Sequence, residues 1–311
     1  MKLGVEKMRI GVIMGGVSSE KQVSIMTGNE MITHLDKSKY EIVPITLNKK
    51  MDLIEKAKDI DFALLALHGK YGEDGTVQGT LESLGIPYSG SNMLSSGICM
   101  DKNISKKILR YEGVETPDWI ELTKMEDLKL EELDKIGFPL VVKPNSGGSS
   151  VGVKIVNDKN ELISMLETVF EWDSEVVIEK YIKGDEITCS IFDGKQLPII
   201  SIRHAAEFFD YNAKYDDVST IEEIIELPAE IKERVNKASI ACYKALKCSV
   251  YARVDMMVKD GIPYVMEVNT LPGMTQSSLL PKSADAAGIN YSKLLDMIIE
   301  TSLKVRKEEG F

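Results

Sequence analysis

The sequence has few cysteines, no long apolar run and no secretion signal. Its four cysteines have no C-x-x-C spacing, which predicts reduced, buried thiols. No apolar run reaches the length of a membrane span. The N-terminal residues MKLGVEKMRIGVIMGG lack a signal-peptide cleavage pattern. We therefore expect a cytoplasmic protein with no membrane partner.

Positive charge is also scarce. The chain has 38 Lys and Arg against 49 Asp and Glu, a formal net charge of −11. This balance argues against a general surface for nucleic acid or for an anionic membrane. An anionic ligand would need positive charge that is concentrated locally rather than spread over the surface.

Two familiar phosphate-binding motifs are missing. Gly15-Gly16 follows the first predicted strand, but the pattern is not G-x-G-x-x-G. Lys143 lies near a glycine-rich turn, but it precedes the glycines and no helix follows at once, so this is not a Walker loop. A nucleotide site, if there is one, must be of another kind.

The first hundred residues read as alternating strands and helices. Predicted strands at 9–14, 40–46 and 62–67 are separated by helical patterns, and Ser19 with Gln22 forms a capping-box pattern for the first helix. Such alternation indicates a doubly wound parallel sheet, with sites at the carboxyl ends of its strands. With 311 residues, the chain has room for two or three domains.

The segment 251–275 reads as two strands around a D-G turn and carries three oxygen-bearing side chains. Glu267 and Asn269 are two residues apart, so they point to one face of a strand, and Asp255 can face them across the hairpin. Two carboxylates and an amide suit a hard cation such as Mg²⁺. The alternative is an exposed hairpin with solvated acids. Arg253, two residues before Asp255, favours the metal site.

A loop rich in glycine follows the third predicted strand. Residues 68–79, HGKYGEDGTVQG, place one His, one Glu and one Asp among four glycines. Loops at strand ends often carry function, so we interpret His68 as functional. His34, inside a helical pattern, and His204 receive a structural interpretation.

A second loop, at 141–153, reads VVKPNSGGSSVGV. A strand brings Lys143 to the edge of a turn whose bare backbone N–H groups suit phosphate oxygens; an ordinary hairpin loop is the alternative.

Residues 175–186 predict a strand and a turn that resemble a linker between two lobes, where an adenine could lie on backbone groups. Residues 210–220 lack periodicity, and we interpret them as a mobile loop over the site or an exposed connection. Helices are predicted at 102–112, 229–247 and 291–304.

Together these motifs resemble the D-alanine–D-alanine ligase family of the ATP-grasp superfamily. The resemblance covers nearly the whole chain, in order. The matching segments are GGVSSEKQVS at 15–24, HGKYGEDGTVQG at 68–79, MDK at 100–102, VVKPNSGGSSVGV at 141–153, IEKYIKGDE at 178–186, YNAKY at 211–215, ARVDMM at 252–257 and MEVNTLPGMTQSSLLP at 266–281. The sequence departs from the family at 248–251, where many members carry a glycine, and in the phosphate loop, which reads Asn-Ser-Gly-Gly.

The resemblance implies a fold and a reaction. The fold is α/β, with an N-terminal doubly wound parallel-sheet domain followed by a two-lobed ATP-grasp unit of α+β type. The implied domains are 1–101 with the first D-alanine site, 102–183 as the central lobe, and 184–311 as the C-terminal lobe with the metal site and the mobile loop. In the implied reaction, ATP phosphorylates one D-alanine, and the amine of a second attacks the acyl phosphate, for peptidoglycan precursor synthesis.

The resemblance also implies the residues that meet the nucleotide and the metal. Those at phosphate oxygens are Lys102, Lys143, Lys214, Ser149 and Ser150. Those that line the adenine, partly by their backbone, are Glu179, Lys180 and Ile182, and Glu186 takes the ribose hydroxyls. The implied metal ligands are Asp255, Glu267 and Asn269, holding Mg²⁺ or Mn²⁺, with two ions expected. Whether a monovalent cation also acts is left open.

The implied substrate residues come from both ends of the chain. Glu20 accepts the ammonium of the first alanine, and His68 lies near its carboxylate. The oxyanion is steadied by Arg253 and the N–H of Gly273, and Ser278 and Leu279 lie at the carboxylate of the second alanine. Glu20, Ser149 and Tyr215 are implied to form one hydrogen-bonded line. The implied partners are ATP and D-alanine, and the implied assembly is a homodimer.

Several alternatives remain at this point. One is a D-alanine–D-lactate or D-alanine–D-serine ligase, for which Tyr215 is the discriminating position. Another is a different carboxylate–amine ligase or a biotin-dependent carboxylase subunit, against which His68 and Glu20 argue. An NAD-dependent dehydrogenase lacks its glycine motif here. A non-catalytic nucleotide-binding regulator would have no need of the intact acidic set and Arg253.

Overall fold

A computed structural model describes residues 7–148, 151–204 and 220–311. Its first part is a parallel sheet of three strands in the order β2-β1-β3, flanked by helices. The strands are β1 (Met8–Gly15), β2 (Tyr40–Leu47) and β3 (Phe62–Leu65). The helices are α1 (Lys21–His34), α2 (Asp52–Lys56), α3 (Thr76–Leu84) and α4 (Met93–Met100). β1 is central and β3 is buried along its whole length, as expected for strands covered on both faces.

The strand order places a crevice at the carboxyl end of β1, because the chain passes to opposite sides of β1 in its two crossovers. Gly15 ends β1 with φ of 88°, and a Cβ there would lie 2.6 Å from the carbonyl oxygen of Leu47. The predicted capping box at the start of α1 is wrong: the residue before the helix is Glu20, with no side-chain capping bond. The nearby Ser24 hydroxyl instead accepts from Gly15 N–H at 2.8 Å and donates to the Ala66 carbonyl at 2.7 Å, joining β1 to the end of β3.

The second part is an antiparallel sheet of four strands in the order β4-β7-β5-β6. Its strands are β4 (Trp119–Leu122), β5 (Leu140–Pro144), β6 (Lys154–Val156) and β7 (Val176–Lys180). Its helices are α5 (Lys102–Tyr111), α6 (Leu130–Ile136) and α7 (Lys159–Val169). Aliphatic side chains of α7 and of the sheet form a separate core, which gives the loop after β5 a rigid base.

The third part is a larger antiparallel sheet in the order β11-β10-β8-β12-β13, with β9 beside β8. Its strands are β8 (Asp185–Phe192), β9 (Lys195–Gln196), β10 (Ile200–His204), β11 (Thr220–Ile224), β12 (Tyr251–Lys259) and β13 (Ile262–Asn269). Its helices are α8 (Ala229–Ala245), α9 (Leu279–Ala286) and α10 (Tyr291–Glu308). The buried face of α10 joins the core of the first sheet, so the end of the chain returns to its beginning. The fold class predicted from the sequence is confirmed, while the three domain limits stay a prediction.

The hairpin of β12 and β13 turns at the predicted D-G dipeptide. Asp260 and Gly261 both have positive φ, 52° and 73°, as a two-residue turn that follows the strand twist requires. The pairing register shifts between Asp255 and Met256, because Glu267 pairs with Asp255 and Val265 pairs with Met256. Met266 is therefore an extra residue, a β-bulge in β13.

Candidate active site

The largest group of predicted site residues lines one cavity of about 210 Å³ between the second and third sheets. Helix α5 supplies Lys102, strand β5 supplies Lys143, and the hairpin supplies Asp255 and Glu267. The chain that connects β7 to β8 supplies Ile182, with Glu186 beside it in β8. Residues that are far apart in the sequence thus face one space.

The β-bulge at Met266 determines which side chains of the hairpin face this cavity. Val265 and Val268 are both buried in the core below the sheet, although they are three residues apart. Without the extra residue, strict alternation would put Glu267 on the same face as Val265. The bulge changes the phase, so Glu267 lies opposite Asp255, and Asn269 lies opposite Arg253.

The carboxylate of Asp255 is the centre of a dense hydrogen-bond network. Arg253 donates to it through two nitrogens, at 2.9 and 2.8 Å. The Thr188 hydroxyl donates to it at 2.6 Å, and the Asn269 amide donates at 3.0 Å. A bidentate guanidinium pair of this kind gives a defined orientation. The Asp255 carboxylate is therefore oriented at the wall of the cavity.

Two lysines bring positive charge to the same cavity. The Lys102 ammonium donates to the Gly147 carbonyl at 2.5 Å and lies 3.6 Å from a carboxylate oxygen of Glu267. Burial lowers the pKa of Lys102, with Glu267 acting in the opposite direction. Lys143 donates to Glu179 at 2.5 Å. Each of these ammonium groups thus lies at the cavity beside a carboxylate, Lys102 beside Glu267 and Lys143 beside Glu179.

The side chains of Glu179 and Lys180 face different ways. Glu179 is fully buried, and its carboxylate pairs with lysines, whereas the Lys180 ammonium donates to the Gly137 carbonyl at 2.8 Å and the Phe138 carbonyl at 3.4 Å. The side chain of Lys180 is thus directed at backbone carbonyls. Any contact of Lys180 with an adenine would come from its backbone, as the sequence-based prediction allowed.

Glu20 follows the carboxyl end of β1, and His68 and Gly69 follow that of β3. Gly69 adjoins the Glu20 carboxylate so closely that a Cβ on Gly69 would lie 2.7 Å from Glu20 Oε2, and a Cβ on Gly148 would lie 3.6 Å from it. His68 is buried, with Nε2 at 3.2 Å from the Thr27 hydroxyl. Glu20 therefore lies between the loop after β3 and the glycine-rich loop after β5.

Gly273 and Ser278 form a compact turn before α9. Ser278 precedes the first residue of the helix, Leu279, and the Thr275 N–H donates to its hydroxyl at 3.1 Å. A Cβ on Gly273 would lie 3.0 Å from Ser278 Oγ, so only glycine allows this close approach without a shift. The Ser278 hydroxyl also lies 2.7 Å from the Thr275 hydroxyl, so it is bonded within the turn.

Four predicted site residues, Ser149, Ser150, Lys214 and Tyr215, lie outside the described residues. The structure also shows polar residues that the sequence-based prediction missed. Glu73 accepts from the Gly69 N–H at 2.8 Å and lies 3.6 Å from His68 Nδ1, and Thr188 contacts Asp255. Glu73 lies in the HGKYGEDG loop, so its position in that motif was a usable signal. Thr188 is a strand residue with no such signal.

Two family models match the chain in succession. The model described as D-ala D-ala ligase N-terminus matches residues 9–58 and 49–91, and the model described as D-ala D-ala ligase C-terminus matches residues 102–300. The chain belongs to the D-alanine–D-alanine ligase family. This membership agrees with the resemblance that the motifs indicated.

Individual members of the D-alanine–D-alanine ligase family agree with this assignment. A D-alanine–D-alanine ligase from Bacillus anthracis is 94% identical over 304 residues, which are 98% of this chain and 100% of that protein. A crystal structure of the Bacillus anthracis ligase complexed with ATP has a TM-score of 0.91 and 90% identity, covering 97% of this chain and 100% of that one. A D-Ala:D-Ser ligase from Enterococcus faecalis is more distant, with 30% identity, a TM-score of 0.83, and coverage of 96% of this chain and 100% of that one.

Among the described residues of this chain, no helix is both long enough and apolar enough to cross a membrane.

The four cysteines of this ligase-family chain are free and at most 8% exposed. Burial raises the pKa of Cys189 and of Cys242, so these thiols stay protonated and unreactive.

We predict that activity survives mild thiol alkylation of the native protein and is the same with and without reducing agent. Activity after iodoacetamide treatment checks this. A large loss that ATP prevents would place a cysteine in the site and contradict the prediction.

Proposed function

We propose that this protein is an ATP-dependent ligase that joins two D-alanines through a D-alanyl phosphate, for peptidoglycan precursor synthesis. The observation that carries the proposal is the convergence of Lys102, Lys143, Asp255 and Glu267 on one cavity. Transfer of a phosphoryl group requires cations near the phosphates, and the lysines and carboxylates around this cavity are of the types that bind phosphate and a metal ion. The protein mainly positions reactants and stabilises charge.

We infer that the nucleotide occupies the cavity between the two antiparallel sheets. Lys102 and Lys143 would meet phosphate oxygens, together with Lys214 and the turn at Ser149-Ser150. The adenine would lie against Ile182 and the backbone of Glu179 and Lys180, with Glu186 at the ribose. Ile182, Glu179 and Glu186 line the cavity, which supports this placement.

The chemistry of the donor set fits a hard divalent cation. Asp255 and Glu267 are paired directly across the hairpin, and the Asn269 amide is bonded to the Asp255 carboxylate. These residues would hold Mg²⁺ or Mn²⁺, which would supply charge neutralisation at the phosphates. Among the described residues, no cluster of three or more His, Cys, Asp or Glu side chains is placed to hold a metal. The ion or ions would therefore depend on Asn269, phosphate oxygens and water as further ligands.

We infer that the two alanines lie at the ends of the cavity nearest the first domain and α9. Glu20 would accept the ammonium of the first alanine, with His68 near its carboxylate. Arg253 and the Gly273 N–H would stabilise the oxyanion formed when the second amine attacks, and Ser278 and Leu279 would hold the second carboxylate. Tyr215, with Glu20 and Ser149, would close the site and exclude water from the acyl phosphate.

The test is incubation of the protein with ATP, Mg²⁺ and D-alanine. We expect equal amounts of phosphate and D-alanyl-D-alanine, and neither product when ATP is left out. Replacing the second substrate with D-lactate or D-serine distinguishes the related ligases, because the same acyl phosphate then yields a depsipeptide or a mixed dipeptide. If neither phosphate nor any of these products forms, the proposal is wrong. We further propose a cytoplasmic homodimer with the domain limits 1–101, 102–183 and 184–311.

A further inference from the structure

Behind the cavity lies a buried group of three charges that involves one residue with no assigned role. Glu179 is 0% exposed and places one carboxylate oxygen 2.5 Å from the Lys143 ammonium and the other 2.8 Å from the Lys106 ammonium. Lys106 is 1% exposed. Lys143 and Glu179 line the cavity, whereas Lys106 is not among the described residues that do so.

Lys106 is held in place by several polar contacts and one aromatic ring. Its ammonium donates to the Thr116 hydroxyl at 2.8 Å and the Pro117 carbonyl at 3.3 Å, and it lies 5.3 Å from the ring centroid of Trp119. Thr116 in turn donates to the Val265 carbonyl at 2.8 Å, next to the bulge of β13. This network fixes the ammonium at one side of Glu179.

The net charge of the group formed by Lys106, Glu179 and Lys143 indicates a function for Lys106. A carboxylate between two ammonium groups leaves a net charge of about +1, whereas a carboxylate with Lys143 alone would form a neutral pair. Glu179 would then neutralise the Lys143 ammonium, and the attraction between Lys143 and a phosphate would be weak. We propose that Lys106 is a positioning residue that neutralises Glu179 from behind, so that Lys143 keeps a positive charge directed at the nucleotide.

This inference rests on the proposed function, since it concerns the same nucleotide site. It predicts a specific effect of Lys106→Met, a substitution of similar length without charge. We expect the affinity for ADP with Mg²⁺ to fall by about 10-fold or more, the scale expected when a hydrogen-bonded charge is lost. The control is Lys107→Met, the same change one residue along α5, where the ammonium is exposed and lies 3.5 Å from Glu121.

A second pair of variants separates this role from a purely structural one. With Glu179→Gln there is no buried carboxylate to neutralise, while the amide oxygen can still accept from Lys143. Adding Lys106→Met to Glu179→Gln should then change ADP affinity by less than about 2-fold, the signature of an effect transmitted through Glu179. A structural role would make the double variant at least as weak as Lys106→Met alone.

The dependence on pH gives a further readout. Burial lowers the pKa of Lys106 to about 8, against the opposing effect of Glu179. The charged or titratable groups near it are Glu179 from β7, Lys143 from β5 and Arg110 from its own helix. Lys106 is charged below this pKa and neutral above it, so the advantage of the wild type over Lys106→Met should shrink as the pH rises past 8.

Calorimetric titration of ADP with Mg²⁺ into each folded variant decides the matter. If the wild type binds no ADP, the proposed function fails, whatever Lys106 does. If the wild type binds ADP and Lys106→Met binds it as well as Lys107→Met does, the positioning role is wrong. An equal loss from Lys106→Met with and without Glu179→Gln also overturns it. If Lys106→Met does not fold, the comparison of the double variant with Glu179→Gln still tests the role.

Discussion

Asp255→Asn should lower turnover by at least about 100-fold while the protein stays folded, because a charge that holds a catalytic metal is worth several kcal/mol. The carboxylate of Asp255 accepts from Arg253, Thr188 and Asn269, and it lies opposite Glu267. Asn keeps the shape of the side chain but removes the charge. Glu267→Gln should have a similar effect, since it also removes one ligand charge.

The measurement is the steady-state rate of phosphate release with D-alanine, with circular dichroism as the check on folding. ADP titrations with and without Mg²⁺ add a readout that does not depend on turnover. Mg²⁺ should strengthen ADP binding to the wild type and have a much smaller effect on Asp255→Asn. The matched control is Asp260→Asn at the turn of the same hairpin, where φ is 52° and Asn is well tolerated. Near-native turnover of folded Asp255→Asn would show that the metal assignment is wrong.

The sequence was sufficient to predict the hairpin but not the phase of its second strand. The D-G dipeptide and the alternating residues beside it predicted β12, β13 and their turn, which the structure confirms. The bulge at Met266 was not predictable, because a methionine within an apolar strand looks the same whether it is paired or extra. Only the need to bury both Val265 and Val268 against the core reveals it.

The lysines show a similar division between what the sequence predicts and what packing decides. The glycine-rich turn beside Lys143 marked it as a phosphate residue, and the position of Lys102 at the start of a helix was also predicted. Lys106 gave no signal, because a lysine one turn later in a helix is usually exposed. Lys106 is buried because α5 packs against β7 and Trp119. This is tertiary packing, which the periodicity of the helix sequence does not predict.

The start of α1 shows where a local pattern was misleading. Ser19 and Gln22 matched a capping box, but α1 has no side-chain cap, and the neighbouring Ser18 and Ser24 make tertiary contacts. Ser18 donates to the His68 carbonyl at 2.7 Å, and Ser24 bridges Gly15 and Ala66. These bonds tie the ends of β1 and β3 together, which holds Glu20 beside the loop that follows His68. The Ser18 hydroxyl also accepts from the Glu20 N–H at 3.3 Å, so it serves both the turn before α1 and the contact with the loop after β3.

That arrangement makes Gly69 a sensitive position. Its φ is 72°, and a Cβ would lie 2.7 Å from Glu20 Oε2 and 3.1 Å from Ser18 Cβ. Gly69→Ala should therefore push the Glu20 carboxylate away from its place. Because the carboxylate is the far end of a flexible side chain, this shift costs the fold little. It should nevertheless raise the KM of the first D-alanine by about 10- to 100-fold, since a hydrogen bond to a charged group contributes about 1.5–3 kcal/mol.

Gly85→Ala is the matched control for this prediction. Gly85 has a similar φ of 67°, but a Cβ there would meet nothing within 4 Å. Both variants bear the cost of a left-handed alanine, about 1–2 kcal/mol, so both melting temperatures should fall, that of Gly69→Ala somewhat more because Ser18 must also move. Only Gly69→Ala should alter the dependence of the rate on D-alanine at saturating ATP, and its affinity for ADP should stay native. If the two variants give the same D-alanine dependence, Glu20 does not receive the substrate ammonium, because the substitution that displaces it would have left substrate binding intact.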